Sequence, residues 1–312
     1  MQSVRTRLPR CIWAAWSALS PSAGFAPSVC CNSRPKGVIV ADHHAQHHRP
    51  LTNQIRFDDG ASYERYMGLW SHAAGVAFLH WLRPRAGLRW LDVGCGSGAF
   101  TALLATHCAP AALSGIDPSA QQLAYARTRP VLRDADLAQA DALALPYADH
   151  AFHAAVMPLV IFFVPEPARG VSEMARVVAP GGLVTAYTWD MHGGGFPYHV
   201  LQREMRALGA VVPAPPSVEA SRPDIMEALW RDAGLIDVNS HEITIQRTFA
   251  DFDDYWDTVQ GGASVGRSLT AMSREVIAQL QDRLREALPA DAGGRITYSA
   301  RANAISGRVS HS

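Results

Sequence analysis

The sequence predicts an α/β fold in which a doubly wound, mostly parallel sheet carries helices on both faces. Short apolar segments alternate with amphipathic segments between residues 57 and 189, as is typical of strand–helix–strand units with right-handed crossovers. The first apolar run ends in Gly94, Gly96 and Gly98 and leads directly into a helical pattern. A strand, a glycine turn and a helix N-terminus in this order let a ligand approach the backbone at the carboxyl edge of the sheet.

The individual elements follow from the same patterns. Pro84 and Gly87 separate an N-terminal helical unit, which begins near Phe57, from the first strand. A helix over residues 167–178 places its apolar side chains on one face, and Pro180 marks its end. The predicted strands are residues 88–93, 112–117, 136–139, 151–157, 183–189, 236–246 and 295–306, with further helices at 223–233 and within 252–288.

The composition limits the function classes. The 312 residues include 48% hydrophobic residues, enough for the core of one large α/β domain, and the formal net charge is zero. No basic stripe favours nucleic acid, and no apolar run approaches the roughly 18 residues that span a bilayer. The five cysteines show neither a disulfide framework nor metal-ligand spacing. We therefore expect a cytoplasmic monomer or homodimer that needs no metal, binds no nucleic acid and does not insert stably into membranes.

Residues 1–50 differ in composition from the rest of the chain. They contain five arginines, one lysine and a single acidic residue, together with many serines and prolines. The histidines between His43 and His48 lie in a coil-like context, which favours a solvated linker over a metal site. Because such a segment cannot bury enough apolar surface to order itself, we expect a disordered N-terminal extension at 1–50 and one domain over 51–312.

Three acidic residues mark the ends of the first three predicted strands. Asp92 lies just before the glycine turn, where a carboxylate suits a cationic ligand group and repels a pyrophosphate. Asp117 closes the second strand and suits the hydroxyls of a ribose, and Asp141 closes the third, where it suits an adenine amino group. However, the spacing of Gly94, Gly96 and Ala99 also satisfies the dinucleotide fingerprint. An NADP-dependent oxidoreductase therefore stays open as an alternative.

Four segments in order resemble the class I S-adenosylmethionine-dependent methyltransferases, most closely the small-molecule enzymes of the ubiquinone-methyltransferase-like type. They are Leu91-Asp92-Val93-Gly94-Cys95-Gly96-Ser97-Gly98, Gly115-Ile116-Asp117-Pro118-Ser119, Gln139-Ala140-Asp141-Ala142-Leu143 and residues 173–182. The resemblance implies a Rossmann-like, seven-stranded sheet that ends in an antiparallel edge hairpin of strands six and seven. It also implies methyl transfer from S-adenosyl-L-methionine to a small-molecule acceptor by in-line displacement. A non-catalytic, cofactor-binding member of the same fold is a further alternative.

The resemblance further implies a cofactor-binding set. It comprises Asp92, Gly94, Cys95, Gly96, Gly98, Asp117, Pro118, Asp141, Ala142, Met157 and Pro158. In such a site the glycines pack under the methionine and ribose groups of the cofactor. Asp92 meets the cofactor's ammonium group or nearby water, and Asp117 binds the ribose hydroxyls. Asp141 and Ala142 then flank the adenine, and the backbone of the last two residues of the set lies beside the sulfonium.

The acceptor side is less defined by the sequence. Aromatic candidates to line it are Tyr63, Tyr66, Phe162, Trp189, Tyr255 and Trp256. His192 and His199 are candidate general bases because histidine titrates near neutrality. A helical stripe of leucines and other apolar residues within 250–290 predicts a helical insertion between the last two strands. We expect this insertion to form a lid over the acceptor, with plain coverage of the sheet edge as the alternative.

Overall fold

The computed structural model describes residues 64–260 and 265–311. The predicted extension at residues 1–50 and the candidate Tyr63 lie outside the described residues, so both stay predictions. The strands are β1 Arg89–Val93, β2 Ala112–Asp117, β3 Asp136–Gln139, β4 Phe152–Pro158, β5 Val178–Trp189, β6 Leu235–Phe249 and β7 Ile296–Val309. The α-helices are α1 Leu69–Leu82, α2 Ala99–His107, α3 Ala120–Ala126, α4 Pro167–Val177, α5 His199–Ala207, α6 Pro223–Asp232, α7 Phe252–Gln260, α8 Val265–Thr270 and α9 Arg274–Ala287.

The seven strands form one sheet in the order β3-β2-β1-β4-β5-β7-β6. Strands β1 to β5 pair in parallel, and β7 pairs antiparallel with both β5 and β6. Asp92 is the register partner of Gly115 on β2 and of Val156 on β4, so the carboxyl ends of these strands meet at one edge. The predicted doubly wound sheet with an antiparallel hairpin at its edge is confirmed.

The side chains alternate between two apolar layers, as the two-residue period of a strand requires. Trp90 packs on the face that also buries Phe78 and Leu104 of α1 and α2. Leu91, its neighbour in sequence, packs on the opposite face, which α4 and α6 cover. On that second face Trp230 is fully buried, and its indole N–H donates to the Val184 carbonyl at 3.0 Å. Helices therefore cover both faces of the sheet at the central strand β1, as parallel strands need.

Three strands extend further than their sequence predicts. Strand β5 begins at Val178 instead of residue 183, so Pro180 lies inside the strand and does not separate it from α4. The hairpin of β6 and β7 continues to the pair Phe249 and Ile296, whereas the last pair between β5 and β7 joins Trp189 to Ala302. The hairpin therefore projects past the carboxyl edge of the parallel strands.

The predicted insertion consists of the three helices α7, α8 and α9, which lie between β6 and β7. Helix α9 begins at a serine cap, because the Ser273 hydroxyl accepts from the Val276 amide at 3.3 Å. Leu280 and Leu284 of α9 and Tyr255 of α7 are buried in the same core as α1. Within residues 64–260 and 265–311, no helix combines the length and apolar character that crossing a membrane requires.

Candidate active site

The glycine turn between β1 and α2 is built by close backbone approach. The amides of Gly94 and Cys95 both donate to the Ile116 carbonyl at 2.8 Å, which fixes the turn against β2. Gly94 has φ +79°, and a Cβ there would lie 2.6 Å from the Val160 side chain. Gly96 also has positive φ, but a Cβ there would meet nothing within 4 Å. Of these two glycines, only Gly96 faces open space in which a ligand could lie against the backbone.

Asp117 joins the end of β2 to this turn. One carboxylate oxygen accepts from the Gly96 amide at 2.9 Å and the other from the Ser119 amide at 2.8 Å. Burial raises the pKa of this carboxyl, and the two backbone hydrogen bonds oppose the rise. Each carboxylate oxygen keeps a further lone pair, so both oxygens could also accept from ligand hydroxyls.

Asp92 is fully buried at the end of β1. Its Oδ2 accepts from the Thr101 hydroxyl at 2.7 Å, whereas its Oδ1 has no hydrogen-bond partner among the described residues. Burial raises the pKa of Asp92 to about 7, the Thr101 bond lowers it, and the charge of Asp117 adds to the rise. A buried carboxylate oxygen without a donor is costly, so this site suits a ligand that brings its own positively charged N–H group.

The third strand brings Asp141 and Ala142 to the same edge. The Ala140 amide donates to the Asp117 carbonyl at 3.3 Å, and the Gln139 side chain donates to the Pro118 carbonyl at 2.9 Å. Asp141 is exposed, and its carboxylate accepts from the Leu143 amide at 2.9 Å. The ends of β2 and β3 are thus held together beside the glycine turn.

Met157 and Pro158 end β4, and both are buried. The next residue, Leu159, adopts a left-handed backbone with φ 60°, which is uncommon for a residue with a branched side chain. Its amide donates to the Tyr187 carbonyl at 2.7 Å, so the strained turn is fixed to β5. The sequence carries no signal for this turn, because no glycine or asparagine stands there.

The structure joins two of the aromatic residues predicted for the acceptor in a larger group, which we call the aromatic cluster. It consists of Tyr66, Trp70, Tyr198, Phe249, Tyr255 and Tyr298. The rings of Tyr66 and Tyr198 stack with centroids 4.2 Å apart, and the Tyr198 hydroxyl donates to the Tyr66 carbonyl at 2.6 Å. Tyr255 lies 6.5 Å from Tyr198 between ring centroids. Sequence reasoning missed Tyr198, Phe249 and Tyr298. Phe249 lies beyond residue 246, the predicted end of its strand, whereas Tyr298 lies within the predicted strand at 295–306, which carries no local signal for the distant aromatic residues that pack on it.

The other aromatic candidates have different surroundings. Phe162 and Trp189 are buried in the same core as the aromatic cluster, and the Phe162 carbonyl accepts from the Ser217 amide at 3.0 Å. Trp256 is half-buried and stacks on Phe252, with ring centroids 6.3 Å apart. The structure therefore places Tyr255 within the cluster and Trp256 at a partly exposed position beside Phe252.

The two candidate bases lie in and after the loop that follows β5. The exposed His192 ring bonds to the Glu219 carboxylate at 2.9 Å. His199 begins α5, and burial together with the charges of Arg203 and Arg206 lowers its pKa. Among the described residues, no group of three or more histidines, cysteines or acidic residues could hold a metal ion.

A buried ion pair, which sequence reasoning missed, fixes this loop. Asp190 bonds to the Arg301 guanidinium of β7, with one contact of 2.8 Å to Nε and a second to Nη2. Asp190 also accepts from the Gly193 amide at 2.7 Å, and the Arg301 amide donates to the Gly195 carbonyl at 2.9 Å. The two charged residues are 111 positions apart, so no local pattern in the sequence could pair them.

Comparisons with known proteins agree with this geometry. Residues 91–186 match a family model described as a methyltransferase domain. The protein Rv1405c of Mycobacterium tuberculosis is 30% identical over 144 residues, which cover 46% of this chain and 48% of that protein. The uncharacterized methyltransferase ML2584 of Mycobacterium leprae is 32% identical over 143 residues, which cover 44% of this chain and 52% of that protein. The chain thus spans about half the length of these curated relatives.

Solved structures support the fold. The Bacillus halodurans protein BH2331 superposes with a TM-score of 0.51 at 16% identity, covering 76% of this chain and 98% of that chain. The YcgJ protein of Bacillus subtilis gives a TM-score of 0.50 at 17% identity, covering 80% of this chain and all of the other. The four sequence motifs, the sheet order and the family match agree. Residues 91–186 therefore form a methyltransferase domain, and its fold is the one that the resemblance to the class I S-adenosylmethionine-dependent methyltransferases implies.

Proposed function

We propose that the chain is an active enzyme that transfers a methyl group from S-adenosylmethionine to a small-molecule acceptor. One observation carries the proposal: Asp92, Gly96 and Asp117 converge at the carboxyl edge of the sheet. There they offer a buried oxygen that no described residue donates to, an open stretch of backbone and a carboxylate that can accept from hydroxyls. These three features match an ammonium, a close approach to the backbone and a ribose.

When bound, the cofactor supplies a methyl group that its sulfonium charge already activates. The chain then has to hold both reactants in line and exclude water. In our proposal the Asp92 Oδ1 accepts from the ammonium, Asp117 accepts from the ribose hydroxyls, and Asp141 with Ala142 lies beside the adenine. The buried end of β4 at Pro158 flanks the methyl group, and the turn at Leu159 holds that strand end in place.

The acceptor is proposed to enter from the side of the aromatic cluster and the insertion. The cluster supplies apolar ring surface for a small organic molecule, and α7 contributes Tyr255 to it, which supports the lid interpretation of residues 250–290. His192 is held by Glu219, so we assign it no proton transfer in the reaction. His199 stays the candidate base, because its lowered pKa keeps the ring neutral at physiological pH.

We further propose that the protein acts in the cytoplasm as a monomer or homodimer. Cys95 and Cys108 are free and buried, and a reducing compartment suits unpaired thiols. Size-exclusion chromatography with light scattering measures the oligomeric state directly. A mass above that of a dimer contradicts this part of the proposal.

Calorimetry of the full chain with S-adenosylhomocysteine and NADP tests the cofactor assignment. We expect S-adenosylhomocysteine to bind at micromolar strength and NADP not to bind. Asp117→Ala should weaken the binding by about 1–3 kcal/mol, the range for hydrogen bonds to a charged group. Asp232→Ala, which removes an exposed acid at the end of α6, is the matched control and should change nothing.

Turnover then separates an enzyme from a non-catalytic member of the fold. A panel of small-molecule acceptors is screened for S-adenosylhomocysteine release, with the Asp117→Ala variant as the low-activity reference. Tight NADP binding supports the oxidoreductase alternative instead. S-adenosylhomocysteine binding without turnover on any acceptor supports the cofactor-binding alternative.

A further inference from the structure

The outer end of the aromatic cluster holds a charged group that has no counter-ion within the described part of the chain. Arg247 of β6 is half-buried and forms no ion pair with any carboxylate that the structure describes. Its guanidinium carbon lies 4.2 Å from the centre of the Phe249 ring, and one Nη donates to the Tyr198 hydroxyl over a long 3.5 Å. A guanidinium stacked over an aromatic ring contacts the ring with its own planar face. The N–H donors on the edge of the guanidinium therefore stay available for hydrogen bonds.

Tyr298 stands directly beside this arginine. The two are register partners on β7 and β6, and both lie on the face that packs against α1. The Tyr298 hydroxyl is buried and has no hydrogen-bond partner among the described residues. Burial and the neighbouring phenols of Tyr255 and Tyr198 hold the pKa of Tyr298 well above its ordinary value, so its O–H stays a donor.

Two unused donors at one place, one of them positively charged, call for an oxygen that carries negative charge. We propose that Arg247 and Tyr298 bind a carboxylate group of the methyl acceptor, an inference that rests on the proposed function. A neutral amide would satisfy the phenol but would leave the guanidinium without a counter-ion.

The position of the pair also restricts the shape of the acceptor. Tyr298 precedes Ala302, the last β7 partner of β5, by four residues, which places it roughly 13 Å beyond the edge of the parallel strands. Pro158, which we propose beside the transferred methyl, lies at that edge and two strands away. The acceptor is therefore an elongated acid whose methylated atom lies at the end remote from its carboxylate.

The test uses the full chain saturated with S-adenosylhomocysteine and a library of small carboxylic acids, each paired with its primary amide. Saturation-transfer NMR ranks the compounds, and titration gives their affinities. We expect acids to bind at least tenfold more tightly than their amides. Arg247→Gln should abolish this preference, and Tyr298→Phe should reduce it about threefold. Arg169→Gln, which removes an exposed charge on α4, should leave it unchanged.

Two outcomes overturn the proposal. The first is that the wild-type protein shows no preference for acids over their amides. The second is that the preference survives Arg247→Gln in a folded variant. S-adenosylhomocysteine affinity, measured separately, keeps this result distinct from the proposed function. If S-adenosylhomocysteine does not bind but acids still need Arg247, the methyltransferase activity fails and the carboxylate site stands. If S-adenosylhomocysteine binds and acids show no preference, only the carboxylate site fails.

Discussion

The edge that we propose for the cofactor (the cofactor edge) and the region that we propose for the acceptor (the acceptor side) are built in different ways. At the cofactor edge, Asp92, Gly96 and Asp117 lie within 26 residues of sequence and meet because adjacent parallel strands end together. On the acceptor side, Tyr66 and Tyr298 belong to one cluster although more than 200 residues separate them. Short-range geometry therefore fixes the first region, and long-range packing fixes the second. Substitutions should show the same division.

The largest effect is expected from Gly94→Ala, at the cofactor edge. The positive φ costs an alanine about 1–2 kcal/mol, and the overlap of its Cβ with Val160 costs about 1–3 kcal/mol more. We expect a loss of about 2–5 kcal/mol in the free energy of unfolding, measured by urea denaturation. Gly96→Ala is the matched control for stability, because it carries only the cost of the positive φ. Its Cβ should nevertheless weaken S-adenosylhomocysteine binding more than tenfold. Equal loss of stability in both variants contradicts this account of the turn.

The next effect is expected from Asp190→Ala, on the acceptor side. Removing one partner of a buried ion pair costs about 3–5 kcal/mol, and we expect about 2–3 because 36% of the Arg301 side chain is exposed. The loop after β5 loses its anchor, so the KM for the acceptor should rise while S-adenosylhomocysteine affinity stays unchanged. Asp134→Ala breaks an exposed pair with Arg133 and serves as control, with a change below about 0.5 kcal/mol. A parallel loss of cofactor affinity in Asp190→Ala would show that the two regions are not independent.

A smaller effect concerns the pH dependence of cofactor binding. The pKa of Asp92 is raised to about 7, so the stability that its neutral form contributes at low pH is lost as the pH rises through that value. An ammonium on the Asp92 Oδ1 needs the ionised form, so binding should strengthen over the same range. We expect S-adenosylhomocysteine to bind about tenfold more tightly at pH 8 than at pH 6, by calorimetry. Asp92→Asn should show no such difference, and a flat profile in the wild type excludes this role for Asp92.

The smallest effect is expected from Trp256→Ala, at the rim of the insertion. Trp256 is half-buried against Phe252, so we expect a loss of at most about 1 kcal/mol in the free energy of unfolding. A lid role predicts slower acceptor turnover at unchanged S-adenosylhomocysteine affinity. Tyr255→Phe, a buried substitution that keeps the ring, provides the comparison inside the aromatic cluster. Unchanged turnover in both variants favours plain coverage of the sheet edge.

The same division explains what the sequence could predict. The bounds of β2 and β3 match the predictions because their apolar runs and turn residues are local signals. The left-handed turn at Leu159 and the pairing of Asp190 with Arg301 have no such signal. They exist because the surrounding structure stabilises a strained backbone in one case and brings two distant charges together in the other.

The hairpin end at Phe249 and Ile296 has a consequence for engineering. These two residues are register partners, so the chain leaves the sheet and returns to it at adjacent points. Residues 250–295 could therefore be exchanged as a cassette for the corresponding segment of another enzyme without changing the strand order. A graft has to keep apolar side chains where Tyr255 and Leu284 now meet the core. With that surface kept, the scaffold can accept new segments at this point while the glycine turn between β1 and α2 stays intact.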